Sequence, residues 1–351
     1  MNAPAYEALP ARVVFGAGSV ARLAEETDHA GLRRVLVLCT PTQRGLAGHA
    51  TAILGERAVG VFEQARMHVP LATISDALVV AAELGADGCV AAGGGSTIGL
   101  AKALSLRAGL PYVALPTTYA GSEMTPIWGL TEDFRKLTGR DRSVLPRAVV
   151  YDPELTATVP AATAVTSGLN AIAHAVEALY APDSSPPIAA MAERGIRDLV
   201  EALPVLGTGT PDAATRATAL QGAWLCGTCL GATTMGLHHK VCHVLGGLLD
   251  LPHAETHAAM LPHVAAFNLP AAPDAAAAVR RALNAPDAAA ALSKLVTESG
   301  APSSLAELGV RRSQLRAVAE ETLITPYANP RPINRQDLLH LLEKAWSGTP
   351  A

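Results

Sequence analysis

Residues 88–123 read GCVAAGGGSTIGLAKALSLRAGLPYVALPTTYAGSE, and this stretch decides the fold. An apolar run at 88–92 ends in three glycines. A helical Ala/Leu pattern at 98–108 follows and carries Lys102, and a second apolar run at 112–115 leads into a loop of small and hydroxyl residues. Strand, helix and strand in this order predict a parallel βαβ unit. Consecutive glycines let a backbone approach a pyrophosphate without Cβ clashes, and the free N–H groups of a helix start attract the anion. An ordinary strand-to-helix turn would also use glycine. Two such loops, one βαβ step apart at the carboxyl ends of neighbouring strands, favour a dinucleotide site. The expected contacts are Gly94, Gly95, Ser96, Thr97, Thr117, Thr118 and Ser122.

The same grammar extends outward. Short β-branched runs at 35–39, 58–62, 88–92, 112–115 and 148–151 alternate with amphipathic stretches at 45–54, 71–84 and 98–108. After Asp152-Pro153 the β-rich runs stop. Helical patterns punctuated by Pro and Gly take over at 167–180, 188–203, 213–230, 238–248, 274–283, 287–298, 313–322 and 335–346. The expected organisation is an α/β dinucleotide-binding domain at 1–155, Rossmann-like with a parallel sheet, and an all-α catalytic domain at 156–351. Asp274 and Asp287 each follow a proline and open an Ala-rich run, as helix starts do. A second glycine cluster, Gly16-Ala-Gly18-Ser-Val-Ala21, fits GxGxxA. It precedes the first convincing strand and lacks the acidic residue about twenty positions on, so it reads as a turn with a helix start.

Composition removes several function classes. Of 351 residues, half are hydrophobic, 17% are charged and the formal net charge is -4. With no basic run, nucleic-acid binding has no electrostatic support. The N-terminus lacks a basic region followed by an apolar core, and no 18-residue uncharged apolar stretch appears. The expectation is a soluble cytoplasmic protein, independent of membranes. The five cysteines are scattered. Cys226 and Cys229 form a CxxC inside a helical pattern, where a buried and inert reading fits better than a redox motif.

Six of eleven histidines fall between His238 and His263, in HHKVCHVLGGLLDLPHAETHAAMLPH. Packing alone explains such crowding poorly, because histidine is costly to bury and titrates near neutrality. His239 and His243 share a helix face, as do Asn170 and His174 in SGLNAIAHAVEAL. The cluster suits a metal, a proton transfer or an anionic substrate.

In order, GGGSTIGLAK, PTTYAGSEMTP, the Tyr151-Asp152-Pro153-Glu154-Leu155 strand end, SGLNAIAHAVEAL and the histidine segment resemble the iron-containing (group III) alcohol dehydrogenase superfamily. Within it they resemble the maleylacetate reductases. The resemblance runs from about Phe15 to Asn329-Pro330-Arg331-Pro332. It implies a dehydroquinate synthase-like fold, a cleft between two domains and a homodimer. The superfamily's metal positions correspond to Asn170, His174, His239 and His253, but the first is Asp in metal-dependent members. An amide oxygen is a neutral, weak ligand. Gly99 also departs from an Asp usual in metal-dependent relatives, and PTTYAGSE is shorter than the usual loop. The resemblance therefore implies an enzyme without a required metal.

The implied reaction is reduction of the C=C bond of maleylacetate to 3-oxoadipate by NADH, with NADPH also accepted, in aromatic degradation. The alternative is an iron- or zinc-dependent alcohol or polyol dehydrogenase. The implied catalytic set is His243 as proton or hydrogen-bond donor, His174, His239 and His253 on a dicarboxylate substrate, with Asn170, Tyr119 and Lys240 assisting. His238 and His257 are candidate lining groups, and His263 is read as structural. Thr40 and Gln43, in the neutral loop after the first strand, together with Leu155 and Lys136, complete the expected cofactor contacts.

Overall fold

The computed structural model describes residue 9, residues 12–132 and residues 135–349, and the chain divides into two units after Val159. In the first unit the elements run β1 (Arg12–Phe15), α1 (Leu23–His29), β2 (Val35–Leu38), α2 (Arg44–Leu54), β3 (Ala58–Phe62), α3 (Leu71–Glu83), β4 (Gly88–Gly93), α4 (Gly95–Ala108) and β5 (Tyr112–Pro116). They continue with β6 (Ile127–Glu132), β7 (Arg135–Arg140) and β8 (Ala148–Tyr151). Among the described residues, six strands form a parallel sheet in the order β1-β8-β5-β4-β2-β3. Its inner strands are buried on both faces, which is why they read as unbroken apolar runs. Val35 and Val37 point to one face, where they meet Ala47, Ala50 and Leu54 of α2 and Leu23 of α1.

Strand order reverses between β2 and β4. The chain leaves β2 for β3 on one side, then crosses to β4 on the other. In open α/β sheets the crevice at such a reversal, outside the carboxyl ends, is where ligands bind. Thr40 and Gln43 follow β2 there, and Gly93–Gly95 close β4.

The antiparallel hairpin β6–β7 was not expected from the sequence. WGLTE and RKLTGR lack the clean apolar alternation of a half-buried strand, and the hairpin pairs with itself outside the main sheet. Thr131 also tethers the loop before α3, donating from its hydroxyl to the His68 carbonyl at 2.8 Å and from its N–H to the Val69 carbonyl at 3.1 Å. His68 and Val69 have φ of 62° and 46°, left-handed values that cost a non-glycine residue about 1–3 kcal/mol.

The second unit is helical: α5 (Ala161–Tyr180), α6 (Pro186–Gly207), α7 (Ala213–Ala232), α8 (Leu237–Leu249), α9 (His253–Asn268), α10 (Pro273–Leu283), α11 (Ala288–Glu298), α12 (Leu315–Thr322) and α13 (Arg335–Ser347). Asp287 caps α11 through the Ala290 N–H, as its position after a proline foretold. The sequence reading missed α9. Its Pro262 and scattered polar residues blur the period, although the helix is almost wholly buried. α5 runs through the middle of the unit, with nearly every residue from Ala164 to Ala178 buried. Cys226 and Cys229 are buried in α7 as free thiols. Burial pushes the Cys229 thiol up to about 12, so the inert reading of the CxxC stands. Among the described residues, no helix is long and apolar enough to cross a membrane.

Candidate active site

In the α/β unit the glycine loop is closed tightly on its neighbours. A Cβ on Gly93 would lie 2.3 Å from Gln43 Oε1 and 2.4 Å from Thr97 Oγ1, and one on Gly94 would lie 2.8 Å from Thr118 Cγ2. Nothing stands within 4 Å of the same position on Gly95. Side chains are thus excluded behind the loop, while its outer side is open. The leading amides of α4 have no acceptor within the helix. Thr97, wholly buried one turn in, leaves its hydroxyl without a hydrogen-bond partner. Gln43 bridges the loops, donating to Thr117 Oγ1 at 2.8 Å and accepting from Thr40 Oγ1 at 3.2 Å. This open amide cradle, with an orphaned hydroxyl beside it at the reversal point, fits a dinucleotide pyrophosphate.

Lys102 holds the second loop. Its buried ammonium donates to the carbonyls of Ser122, Thr125 and Ile127 and to Thr125 Oγ1, at 2.6–2.9 Å. Tyr119 is wholly buried and donates to Thr156 Oγ1 at 3.0 Å. Leu155 follows β8 and packs on the sheet core. The turn at Gly16 and Gly18 is no phosphate loop. The N–H groups of Gly18 and Val20 donate to the Asp152 carboxylate at 3.2 and 3.0 Å. A Cβ at Gly99 would lie 2.7 Å from Val69 Cγ2, so the strained loop fills the space that an Asp would need. The backbone of Lys136 lies in β7, but its side chain is outside the described residues.

In the helical unit, spacing along α5 puts Asn170, His174 and Glu177 on one face. His174 Nδ1 lies 2.8 Å from His239 Nε2, and His239 Nδ1 lies 2.5 Å from Glu177 Oε2. The Glu177 carboxylate also accepts the His238 and His239 backbone N–H groups at 2.7 and 3.3 Å. It therefore caps α8, where the helix dipole favours an anion. Gly236 permits this approach: a Cβ there would lie 2.7 Å from the Ala328 carbonyl and 3.2 Å from Glu177 Oε1. Because a carboxylate accepts, a neutral His239 carries its proton on Nδ1, and His174 then donates from Nδ1 to His239 Nε2.

The remaining imidazoles extend this chain. His257 stands with its ring centroid 4.8 Å from that of His239 and 4.3 Å from that of His253, and His243 lies 6.0 Å from His253. His243 and His253 are half-buried, whereas His238 and His257 are fully buried. Asn170 is 3% exposed and its Oδ1 has no hydrogen-bond partner. Lys240 turns aside to donate to Thr325 Oγ1 at 2.6 Å.

Burial governs the protonation of these groups. It drives the His238 imidazole down to about 4 and His257 well below its ordinary value, where His253 and His239 add to the effect. Burial also pushes the Glu177 carboxyl upward. The charge and hydrogen bond of His239 outweigh it, helped by His238, so the net shift is down and the group stays ionised. His263 falls to about 4, mainly by desolvation. Glu177 was missed in the sequence reading. Its place one turn beyond His174, on the Asn170 face, was the available signal.

Residues 10–153 match the family described as iron-containing alcohol dehydrogenase, and residues 164–346 match the C-terminal part of the Fe-containing alcohol dehydrogenase family. The chain belongs to the iron-containing alcohol dehydrogenase family of NAD(P)-dependent oxidoreductases. Among its relatives is the maleylacetate reductase of Sphingobium indicum, 53% identical over 98% of each chain. The crystal structure of maleylacetate reductase from Agrobacterium tumefaciens matches all of both chains at 50% identity and TM-score 0.95. That of the enzyme from Rhizobium sp. strain MTP-10005 does so at 48% identity, again with TM-score 0.95.

Proposed function

We propose that this chain reduces the C=C bond of maleylacetate to give 3-oxoadipate, using NADH and accepting NADPH. The observation that carries this reading is a neutral amide, Asn170, at the head of an imidazole cluster in a chain about half identical to maleylacetate reductases. The substrate is a dianion whose C=C bond is conjugated to a ketone. Bound nicotinamide supplies a hydride to the carbon β to that ketone. Negative charge then builds on the ketone oxygen, and the α carbon must gain a proton. His243, half-buried, donates that proton or a hydrogen bond to the enolate oxygen. His174, His239 and His253 hold carboxylate and enolate oxygens, the first two by exchanging the hydrogen bond between their rings for N–H donation to the anion as the pair takes up a proton. Asn170 and Tyr119 assist.

An iron ion fits these residues poorly. Asn170, His174, His239 and His253 offer an amide and three imidazoles, with no anionic partner to offset a divalent charge. The Glu177 carboxylate beside His239 is already held by that imidazole and two backbone amides. The reaction proposed needs no metal. The neutral residues Thr40 and Gln43 after β2 lack the carboxylate that would repel a 2′-phosphate, which supports use of either cofactor. Lys136 and Leu155 are further cofactor contacts in this reading, and the enzyme is a cytoplasmic homodimer.

NADH oxidation with maleylacetate tests the proposal, run with and without chelator beside NAD reduction by simple alcohols. Turnover of maleylacetate that survives chelation is expected. Turnover of alcohols alone, or activity abolished by chelator and restored by iron, would overturn it.

A further inference from the structure

Helix α8 carries two separate i,i+4 pairs. His239 and His243 belong to the imidazole chain already described. His238 and Cys242 make the other pair, and His257 of α9 reaches it. These three side chains are 1%, 2% and 0% exposed, and their potential ligand atoms all lie within 4.8 Å of one another. The His238 and His257 rings stack with centroids 4.9 Å apart and planes 22° from parallel. His238 Nε2 and both ring nitrogens of His257 have no hydrogen-bond partner. Buried polar atoms in that condition are costly and call for an occupant.

We propose that His238, Cys242 and His257 form a binding site for a soft or borderline transition-metal ion, Zn²⁺ or Cu⁺, separate from the positions of Asn170, His174, His239 and His253. A thiolate with two imidazoles is a donor set such ions favour, and it supplies the negative charge that Asn170 does not. Bond lengths of about 2.0 Å to nitrogen and 2.3 Å to sulfur place tetrahedral ligands roughly 3.3–3.8 Å apart, so closure needs about 1 Å of side-chain movement. On binding, the Cys242 thiol gives up its weak contact with the Thr256 carbonyl, at 3.9 Å, and releases its proton to solvent as the sulfur–metal bond forms.

Sulfur makes the site distinguishable, because the other four positions contain none. Cobalt(II) is titrated into the metal-free full chain while the near-ultraviolet thiolate-to-cobalt charge-transfer band is followed. The band is expected in the wild type and in His253→Ala, and it should vanish in Cys242→Ser. No band in the wild type, or one that survives Cys242→Ser, would overturn the proposal. His238→Gln gives a second reading should the serine variant lose its native circular dichroism. A cobalt affinity weakened about tenfold or more supports the site, and an unchanged affinity refutes it.

Discussion

Glu177 on α5 and His239 on α8 share a 2.5 Å hydrogen bond at zero and 8% side-chain exposure, and the same carboxylate caps the helix that carries the histidine. One residue thus sets both the position of His239 and the ring nitrogen that bears its proton. In Glu177→Gln the acceptor becomes an amide that can present N–H in its place, releasing that tautomer. We expect kcat to fall about 10–100-fold, the scale seen when a carboxylate orienting a functional histidine is removed, while NADH affinity stays unchanged. Steady-state kinetics with fluorescence titration of NADH check this. An unaltered kcat would make Glu177 purely a helix cap.

Asn170→Asp restores the anion at the head of the cluster. Zinc or ferrous iron should then bind at least about tenfold more tightly than to the wild type, read by calorimetry in a Cys242→Ser background. Equal affinities would show that charge does not govern metal choice here.

Gly93→Ala drives a methyl group against Gln43 Oε1 and Thr97 Oγ1, at 2.3 and 2.4 Å before any relaxation. The loop after β4 must shift, and the Kd for NADH should rise by about tenfold or more, a loss of about 1.4 kcal/mol. Turnover at saturating cofactor should change less. A cofactor titration identical to wild type would move the pyrophosphate elsewhere.

His263 titrates at about 4 in the folded chain, below the ordinary 6.5. Between those values the unfolded chain binds a proton that the folded chain refuses, so stability is lost as pH falls from 6.5 toward 4. The slope from this one group is at most about 1.4 kcal/mol per pH unit. Urea unfolding at pH 7 and pH 5 should show a smaller acid loss in His263→Leu than in the wild type.

The inner strands were legible because double burial leaves continuous apolar runs, and 148–151 emerged with its bounds intact. The half-buried edge strand at 58–62 did so through its apolar AVGVF run, while the edge strand β1 was not among the expected strands. The β6–β7 hairpin and α9 were not legible, because tertiary burial sets them and their own periodicity does not. At the site, pairs such as Asn170/His174 and His239/His243 were visible as helix spacing. The bond from Glu177 to His239 spans two helices far apart in sequence, and no local pattern announces it. The displacement of any side chain at Gly99 by Val69 was equally hidden, since it depends on a left-handed loop formed thirty residues upstream.

Lys102 gives the α/β unit a mechanical property. The helix whose first amides face the open glycine loop also grips three carbonyls of the following loop, so the two loops are rigidly linked. Their relative placement is fixed when the chain folds. An anion bound at the glycine loop would meet a mould already set, without the ordering entropy that a loose loop loses on binding.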